Sequence, residues 1–561
     1  MKNFLQLHKT DLFLMALLTF IFAALAFFRL GNAYAPVTTY TTSTDNTDIV
    51  LDLGEDTYVQ YISIFLGHLN TRHLSISAYN MEEGEWEIIN GDTAAESVFA
   101  WNKIEINFPL RYLGIVATDD EAYFNELIIV NAGSQVIRPQ NFYEYPQLFD
   151  EQHMFSLPDT YMTGTMFDEV YHGRSAYEFI HGLTTYETTH PPLGKSIISL
   201  GIRIFGMNPF GWRFMSAIFG IIIIPLFYLF VRRLFDSTWI AFATTFLFVF
   251  DFMHYALSRI ATIDIFAAFF ILLMYFFMHE YLLRSRNASL LPEAEQSLTG
   301  ELLIPLGLCG ISMGLGIATK WTGVYAAAGL AVLFAWNFFR HRCKHTFKLI
   351  LFCCVCFIIL PVCIYILSYI PFVSYSETTN LVTKVVENTQ YIFDYHANLE
   401  AEHYYSTPFY EWPVIWMPLL YANTAINETQ VSAVSCMGNP AVWWVGYFCV
   451  IYVIYLALFK KDKTAGFLAV AYLAQYLPWM AVGRITFIYH YFPAILFVIM
   501  MIGYTIQKIA TRFSFGRKLT AVYLLLVLAA FILFFPVISG LPIDKEWGMK
   551  LRLLRDWILV L

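Results

Sequence analysis

The residues best placed to do chemistry lie between Thr165 and Lys195, in TMFDEVYHGRSAYEFIHGLTTYETTHPPLGK. Asp168 and Glu169 form an adjacent acidic pair, and the stretch closes on His190-Pro191-Pro192-Leu193-Gly194-Lys195. A carboxylate held beside a hydroxyl can take its proton as a general base. Most adjacent acids are solvated surface charges, so the case depends on what the rest of the chain brings to them. Val170, Tyr177, Phe179 and Ile180 recur at roughly helical spacing among polar residues. That pattern predicts a short helix lying on a surface rather than crossing one.

The surroundings are apolar. Of 561 residues, 58% are hydrophobic, 14% are charged and 52 are Phe, against about a quarter charged in soluble domains. The chain reads as an integral membrane protein. A formal net charge of −9 offers no basic stripe for nucleic acid, which is excluded as a partner. The cysteines, Cys309, Cys343, Cys353, Cys354, Cys356, Cys363, Cys436 and Cys449, sit mostly in apolar runs without metal-ligand spacing or a disulfide framework.

Spanning helices need about 20 mainly apolar residues, and Lys and Arg gather at cytoplasmic ends. Runs at 11–30, 212–231, 238–257, 265–283, 302–319, 324–339, 347–370, 442–459, 465–482, 488–506 and 519–537 give about eleven spans. Lys2 and Lys9 place the N-terminus in the cytoplasm; Ala33-Tyr34-Ala35 resembles a signal-peptidase site, but Pro36 and the length of the run argue against cleavage. Arg232-Arg233, Arg284 with Arg286, the RHRCKHTFK cluster from Arg340, Lys460-Lys461 with Lys463, and Lys508 to Lys518 then all fall on one side. The interrupted run 193–207, with Lys195 and Arg203 inside it, is a second juxtamembrane helix. The tail ending LRLLRDWILVL is expected outside, lying in the interface.

The expected organisation is therefore an N-terminal transmembrane helix (1–36), an extracytoplasmic β-domain (37–137), and an outer loop with juxtamembrane helices and the acidic pair (138–211). Helices 2–7 (212–370), an aromatic-rich outer loop (371–441), helices 8–11 (442–537) and the outer tail (538–561) follow. In 37–137, segments such as YISIFLGHL, HLSISAYN, WEIIN, KIEINF, YLGIVAT and ELIIVNA alternate apolar and polar residues. They predict an antiparallel, jelly-roll-like β-sandwich, in rhythm like discoidin or galactose-binding domains, acting as a spacer or as a sugar-binding module.

This topology gathers polar residues on the outer face. Arg259 and Asp264 lie in SRIATID, Lys320 and Trp321 end GISMGLGIATKW, and Arg484, Tyr489 and His490 lie in GRITFIYHYFP. His396 and His403 share a helical face in the aromatic loop, too few for a metal site, so no metal is assigned. Arg259 with Asp264 could equally be a structural ion pair, and Lys320 an interfacial anchor. Cations near acids on one face suit a site that holds a phosphate while a carboxylate acts on something else. Gly310, Gly314 and Gly316 read as close helix packing.

In order along the chain, FDEVYHG, HPPLGK, SRIATID, GISMGLGIATKW, YHANLEAEHYYSTPFYEWP and RITFIYHYFP resemble the landmark segments of protein O-mannosyltransferases, within the GT-C glycosyltransferase superfamily. The resemblance implies a polytopic helical GT-C fold and transfer of a sugar, mannose by family, from a polyprenyl-phosphate donor to a Ser/Thr hydroxyl outside the membrane, with inversion. It implies Asp168 as catalytic base with Glu169 in acceptor binding, and Arg259, Lys320 and Arg484 on the donor phosphate. His190, Asp264, Trp321, His396, His403, Tyr489 and His490 support the substrate site. No cofactor beyond the lipid-linked sugar is required, and partners are the donor, a hydroxyl-bearing protein or polymer, membrane lipids and, compatibly, a homo- or hetero-oligomeric assembly. The β-trefoil insert of eukaryotic members is missing and a β-domain precedes FDE, which points to a bacterial type and keeps a cell-wall or lipid-linked polymer open as acceptor. A transporter would place charge at mid-membrane in repeated halves, and a sugar-sensing receptor would leave the acidic pair dispensable; the one-sided charge favours the enzyme.

Overall fold

A computed structural model describes residues 7–42, 48–68, 72–118, 122–156, 158–289, 298–340, 346–373 and 380–561. Cys343 and most of the basic cluster after Arg340 lie outside them. The chain divides into two compact units, one of 1–28, 175–200 and 213–561, the other of 29–174 and 201–212.

The chain starts with helix α1 (Lys9–Phe27) and then enters the β unit. Its strands are β1 (Tyr40–Thr41), β2 (Asp48–Leu66), β3 (Arg72–Asn80), β4 (Glu85–Ala95), β5 (Ala100–Ala117), β6 (Tyr123–Phe124), β7 (Glu126–Asn131) and β8 (Val136–Ile137). Six form an antiparallel sheet in the order β4-β3-β5-β2-β7-β8, and β1 pairs with β6. KIEINF and YLGIVAT, read as separate strands, are one 18-residue strand continuing through Pro109. Its partner β2 slips register between Asp52 and Thr57 and again between Val59 and Tyr61, the bulges that let long paired strands bend. Both faces are covered. Ile62, Ile64, Leu127 and Ile129 join the larger core, while Tyr61, Phe65, Trp101, Ile128 and Val130 pack with Ala35 and Phe155.

Beyond the sheet come α2 (Glu169–His181), α3 (Leu193–Phe205) and α4 (Pro209–Phe235), then α5 (Thr238–Val249), α6 (Phe252–Leu257), α7 (Asp264–Ala288), α8 (Gly300–Thr319) and α9 (Thr322–Arg340). Helices α10 (Thr346–Cys354) and α11 (Leu360–Ser368) are joined by a π-helical segment, Val355–Ile359. Next are α12 (Leu381–Asn398), β9 (Leu419–Ala425), β10 (Gln430–Cys436), α13 (Pro440–Phe459), α14 (Lys463–Tyr476), α15 (Phe492–Arg512), α16 (Gly516–Ser539), β11 (Pro542–Asp544) and α17 (Lys545–Lys550).

Nine helical segments among the described residues are long and apolar enough to cross a membrane. The other two expected spans are broken helices. After α5, buried Asp251 caps α6 by accepting the Met253 and His254 amides; after α14 the chain tightens into a 3-10 turn, Leu477–Ala481. The small-residue reading holds at two of three glycines. A Cβ on Gly310 would lie 2.2 Å from the Cys356 carbonyl oxygen, and one on Gly314 2.7 Å from Ile364 Cδ1, whereas at Gly316 it would meet Phe270 at an ordinary 3.5 Å. The seven described cysteines are free thiols.

The C-terminal tail packs against the segment between α12 and α13. Strand β11 extends the β9–β10 hairpin, with Gln430 opposite Asp544. Trp557 is fully buried and donates to the Ile415 carbonyl at 2.7 Å, and the Leu561 amide donates to Asn423 at 3.0 Å.

Candidate active site

The acidic pair belongs to the β unit. Phe167, immediately before it, has φ +45°, a left-handed conformation that is costly for a bulky side chain and that clusters at functional sites. Asp168, itself part-exposed, precedes α2 and accepts the Tyr171 and His172 amides on its carbonyl. Glu169 is fully buried and accepts the Met166 amide at 2.7 Å. The two acids are thus unlike: Glu169 braces the turn, and Asp168 is the more accessible.

In the membrane unit, a cavity of about 700 Å³ is lined by His190, Lys320, Trp321, His396 and Arg484, with Tyr325, Phe393, Glu400 and Trp479 among its walls. Five of the sequence-selected residues therefore meet at one place. Lys320 ends α8 and Asp264 begins α7, so each charge sits at the helix terminus whose dipole it complements. Their side chains pair at 2.7 Å, both mostly buried, which makes Lys320 a braced cation rather than an interfacial anchor. Lys320 also lies 5.4 Å from the Tyr489 ring centroid, and Tyr489 stacks on His490 at 4.4 Å. His490 packs against Trp479 at 4.6 Å and accepts the Phe487 amide.

His190 and His396 meet edge to face with centroids 5.4 Å apart. His396 Nε2 bonds the Thr189 carbonyl at 3.0 Å. Burial, then His190, Arg484 and Lys320, holds His396 down at about 3; burial also lowers His190, against the opposing pull of Glu187. Both rings are neutral at pH 7, and the cavity already carries a positive field that resists further protonation.

Arg259 and His403 are not among the residues lining this cavity. The Arg259 guanidinium donates to the Phe28 carbonyl at 2.9 Å and to that of Ser539 at 3.4 Å, and it packs on Tyr255. His403 accepts the Tyr405 amide and meets Phe487 edge to face.

Two features were missed. One is Lys195, expected near the interface but wholly buried: its ammonium donates to Glu187 Oε2 at 2.5 Å, the Glu187 carbonyl at 2.7 Å and the His190 carbonyl at 3.2 Å. Glu187 in turn accepts the Thr189 amide at 2.7 Å and faces His190 Nδ1 at 3.1 Å. A charge inside an apolar run demands a partner, and Glu187, eight residues upstream, was the available signal. The other is a second, apolar cavity of about 870 Å³ lined by Ile317, Phe357, Ile358, Pro361, Val362 and Val386, sharing Trp321 and Phe393 with the first. Trp321 donates to Tyr365, whose hydroxyl meets Tyr369 and Thr389; Tyr369 donates to Asn388, and Asn388 to the Thr188 carbonyl. This chain ties α8's end, α11, α12 and the 186–190 loop into one wall.

Comparison with known proteins gives the class first. The donor-bound Pmt1-Pmt2 protein O-mannosyltransferase complex of Saccharomyces cerevisiae superposes with a TM-score of 0.60 at 14% identity, over 72% of this chain and 90% of that one. The fold is that of the GT-C membrane glycosyltransferases. Two family models match: "Dolichyl-phosphate-mannose-protein mannosyltransferase" over residues 204–376 and "C-terminal four TMM region of protein-O-mannosyltransferase" over 381–557. The polyprenol-phosphate-mannose–protein mannosyltransferase of Mycobacterium tuberculosis is 26% identical, over 69% of this chain and 86% of its own length; that of Corynebacterium glutamicum is 25% identical, over 66% and 81%. The chain belongs to the protein O-mannosyltransferase family and is a multi-pass membrane glycosyltransferase. Asp168, Glu169 and His190 precede the first residue matched by the family models.

Proposed function

We propose that this protein transfers mannose from a polyprenyl-phosphate donor to Ser or Thr hydroxyls of a protein, on the extracytoplasmic side and with inversion at the anomeric carbon. The observation that carries the reading is the pair of cavities sharing Trp321 and Phe393. One offers Lys320 and Arg484 to a phosphate, the other an apolar wall to an isoprenoid chain. Relatives named for a polyprenol-phosphate-mannose donor and a protein acceptor support the same assignment.

In the proposed reaction the acceptor hydroxyl oxygen attacks the anomeric carbon while the bond from that carbon to the phosphate oxygen breaks. Asp168 takes the hydroxyl proton, and polyprenyl phosphate leaves with the bonding electrons. Lys320, held by Asp264, and Arg484 offset the growing phosphate charge without having to reorganise. Glu169 braces the turn that presents Asp168, while neutral His190 and His396 offer hydrogen bonds to the sugar or phosphate. Arg259 braces the ends of α1 and α16 in this scheme, with no contact to the donor.

The test is to give purified protein polyprenyl-phosphate mannose with either a Ser/Thr-rich peptide or a cell-wall polymer. Mannosylated peptide is expected. Transfer to the polymer alone would overturn the protein-acceptor reading and leave the donor assignment standing.

A further inference from the structure

Outside the transferase site, Glu126, Asp150 and Glu151 of the β unit converge, each offering a carboxylate oxygen within 4.8 Å of the others. Glu126 Oε2 accepts the Glu151 amide at 2.8 Å. Glu151 Oε2 accepts the Val37 amide at 2.7 Å and the Thr38 amide at 3.0 Å, and the Thr38 hydroxyl is 2.9 Å from both Glu151 Oε2 and Asp150 Oδ1. The knot joins the segment just before β1 to the segment that follows β8.

Three acids in contact are not by themselves a binding site. What points to a ligand is Glu126: its side chain is wholly buried, and its second oxygen, Oε1, has no hydrogen-bond partner. No ion pair among the described residues includes Glu126, Asp150 or Glu151. The cation bonded nearby along the chain, Arg138, is engaged by the Phe149 carbonyl and the Phe142 ring. A carboxylate buried beside two other acids, with one oxygen unpartnered, carries a desolvation cost that a bound cation relieves.

We propose that Glu126, Asp150 and Glu151 bind a calcium ion that closes the β unit. Hard carboxylate and hydroxyl oxygens with no imidazole or thiolate select calcium or magnesium over zinc. An irregular group of acids with exposed Asp150 open to water suits calcium, which accepts six to eight oxygens in flexible geometry, better than magnesium, which demands an octahedron. The site is independent of the transferase reading and stands or falls apart from it.

The experiment uses the purified full-length protein, stripped with chelator and titrated with calcium chloride by calorimetry and thermal unfolding. One calcium per chain is expected, with a higher unfolding temperature and slower proteolysis near Thr38 and Asp150. Glu126→Gln and Asp150→Asn should each weaken binding at least about tenfold, as expected when one of a few charged ligands is lost. Asp150 is exposed, so Asp150→Asn keeps the test valid if Glu126→Gln misfolds. The proposal is overturned if the wild type gives no response up to about 10 mM calcium, well above the range of extracellular modules. It is equally overturned if both variants bind calcium as the wild type does, or if magnesium binds as well as calcium.

Discussion

Replacing Lys195 by Met keeps the length of the side chain and removes its charge. The ammonium it deletes bonds one carboxylate and two carbonyls in a site where Lys195 is fully buried and Glu187 nearly so. Breaking a buried pair from one side costs about 3–5 kcal/mol, because the remaining charge is stranded. Glu187 keeps its bonds from the Thr189 amide and hydroxyl, so the lower part of that range applies, about 3 kcal/mol. Since 1.4 kcal/mol is tenfold in an equilibrium, amide exchange over 187–196 should speed up about 100-fold wherever local opening governs it. The double variant Lys195→Met/Glu187→Gln removes both charges and should recover about half of the loss. Donor KM should rise with the single variant, because Thr189 and His190 line the cation cavity. Unchanged exchange in Lys195→Met, or a double variant worse by the simple sum of the two singles, would refute the claim that this pair positions the loop.

Gly310→Ala should lower the unfolding temperature, an overpacking cost of about 1–3 kcal/mol, because its Cβ would meet the Cys356 carbonyl oxygen at 2.2 Å; Gly316→Ala, with 3.5 Å to Phe270, should be nearly silent. His396, depressed to about 3 when folded against about 6.5 unfolded, contributes stability that is full above pH 6.5 and lost as pH falls toward 3. The unfolding temperature of the wild type should therefore fall more steeply between pH 7.5 and 5 than that of His396→Gln, as seen by scanning fluorimetry. Phe393→Ala should raise donor KM by about tenfold, the scale of one buried aromatic contact, because Phe393 lines both cavities; a silent variant would remove it from donor binding.

The sequence was most legible where a physical demand is local. Eleven apolar runs became helices because spanning needs length and hydrophobicity, and Asp251 broke one of them by capping α6. Lys320, Trp321 and Arg484, which follow apolar helical runs, meet His396 of α12 at one cavity. What stayed hidden depends on tertiary partners. KIEINF and YLGIVAT read as separate segments, yet β5 runs through both and Pro109 between them, and only the partner's register shifts show how the long strand bends. The apolar tail matched an interfacial pattern, but Ser435 and Ile415 offer it carbonyl and hydroxyl partners that no local rule reveals. Asp264 was read beside Arg259 from proximity in sequence, whereas helix direction hands it to Lys320.

The central claim is that one residue, Asp168, takes the acceptor proton while Lys320 and Arg484 hold the donor phosphate. It is tested most directly by measuring donor binding and single-turnover mannose transfer side by side in Asp168→Asn, with Arg484→Met as the comparison. The account predicts that Asp168→Asn binds polyprenyl-phosphate mannose as the wild type does and transfers it at least about 100-fold more slowly, the scale of a lost general base, whereas Arg484→Met loses binding. Near-normal transfer by Asp168→Asn would contradict it.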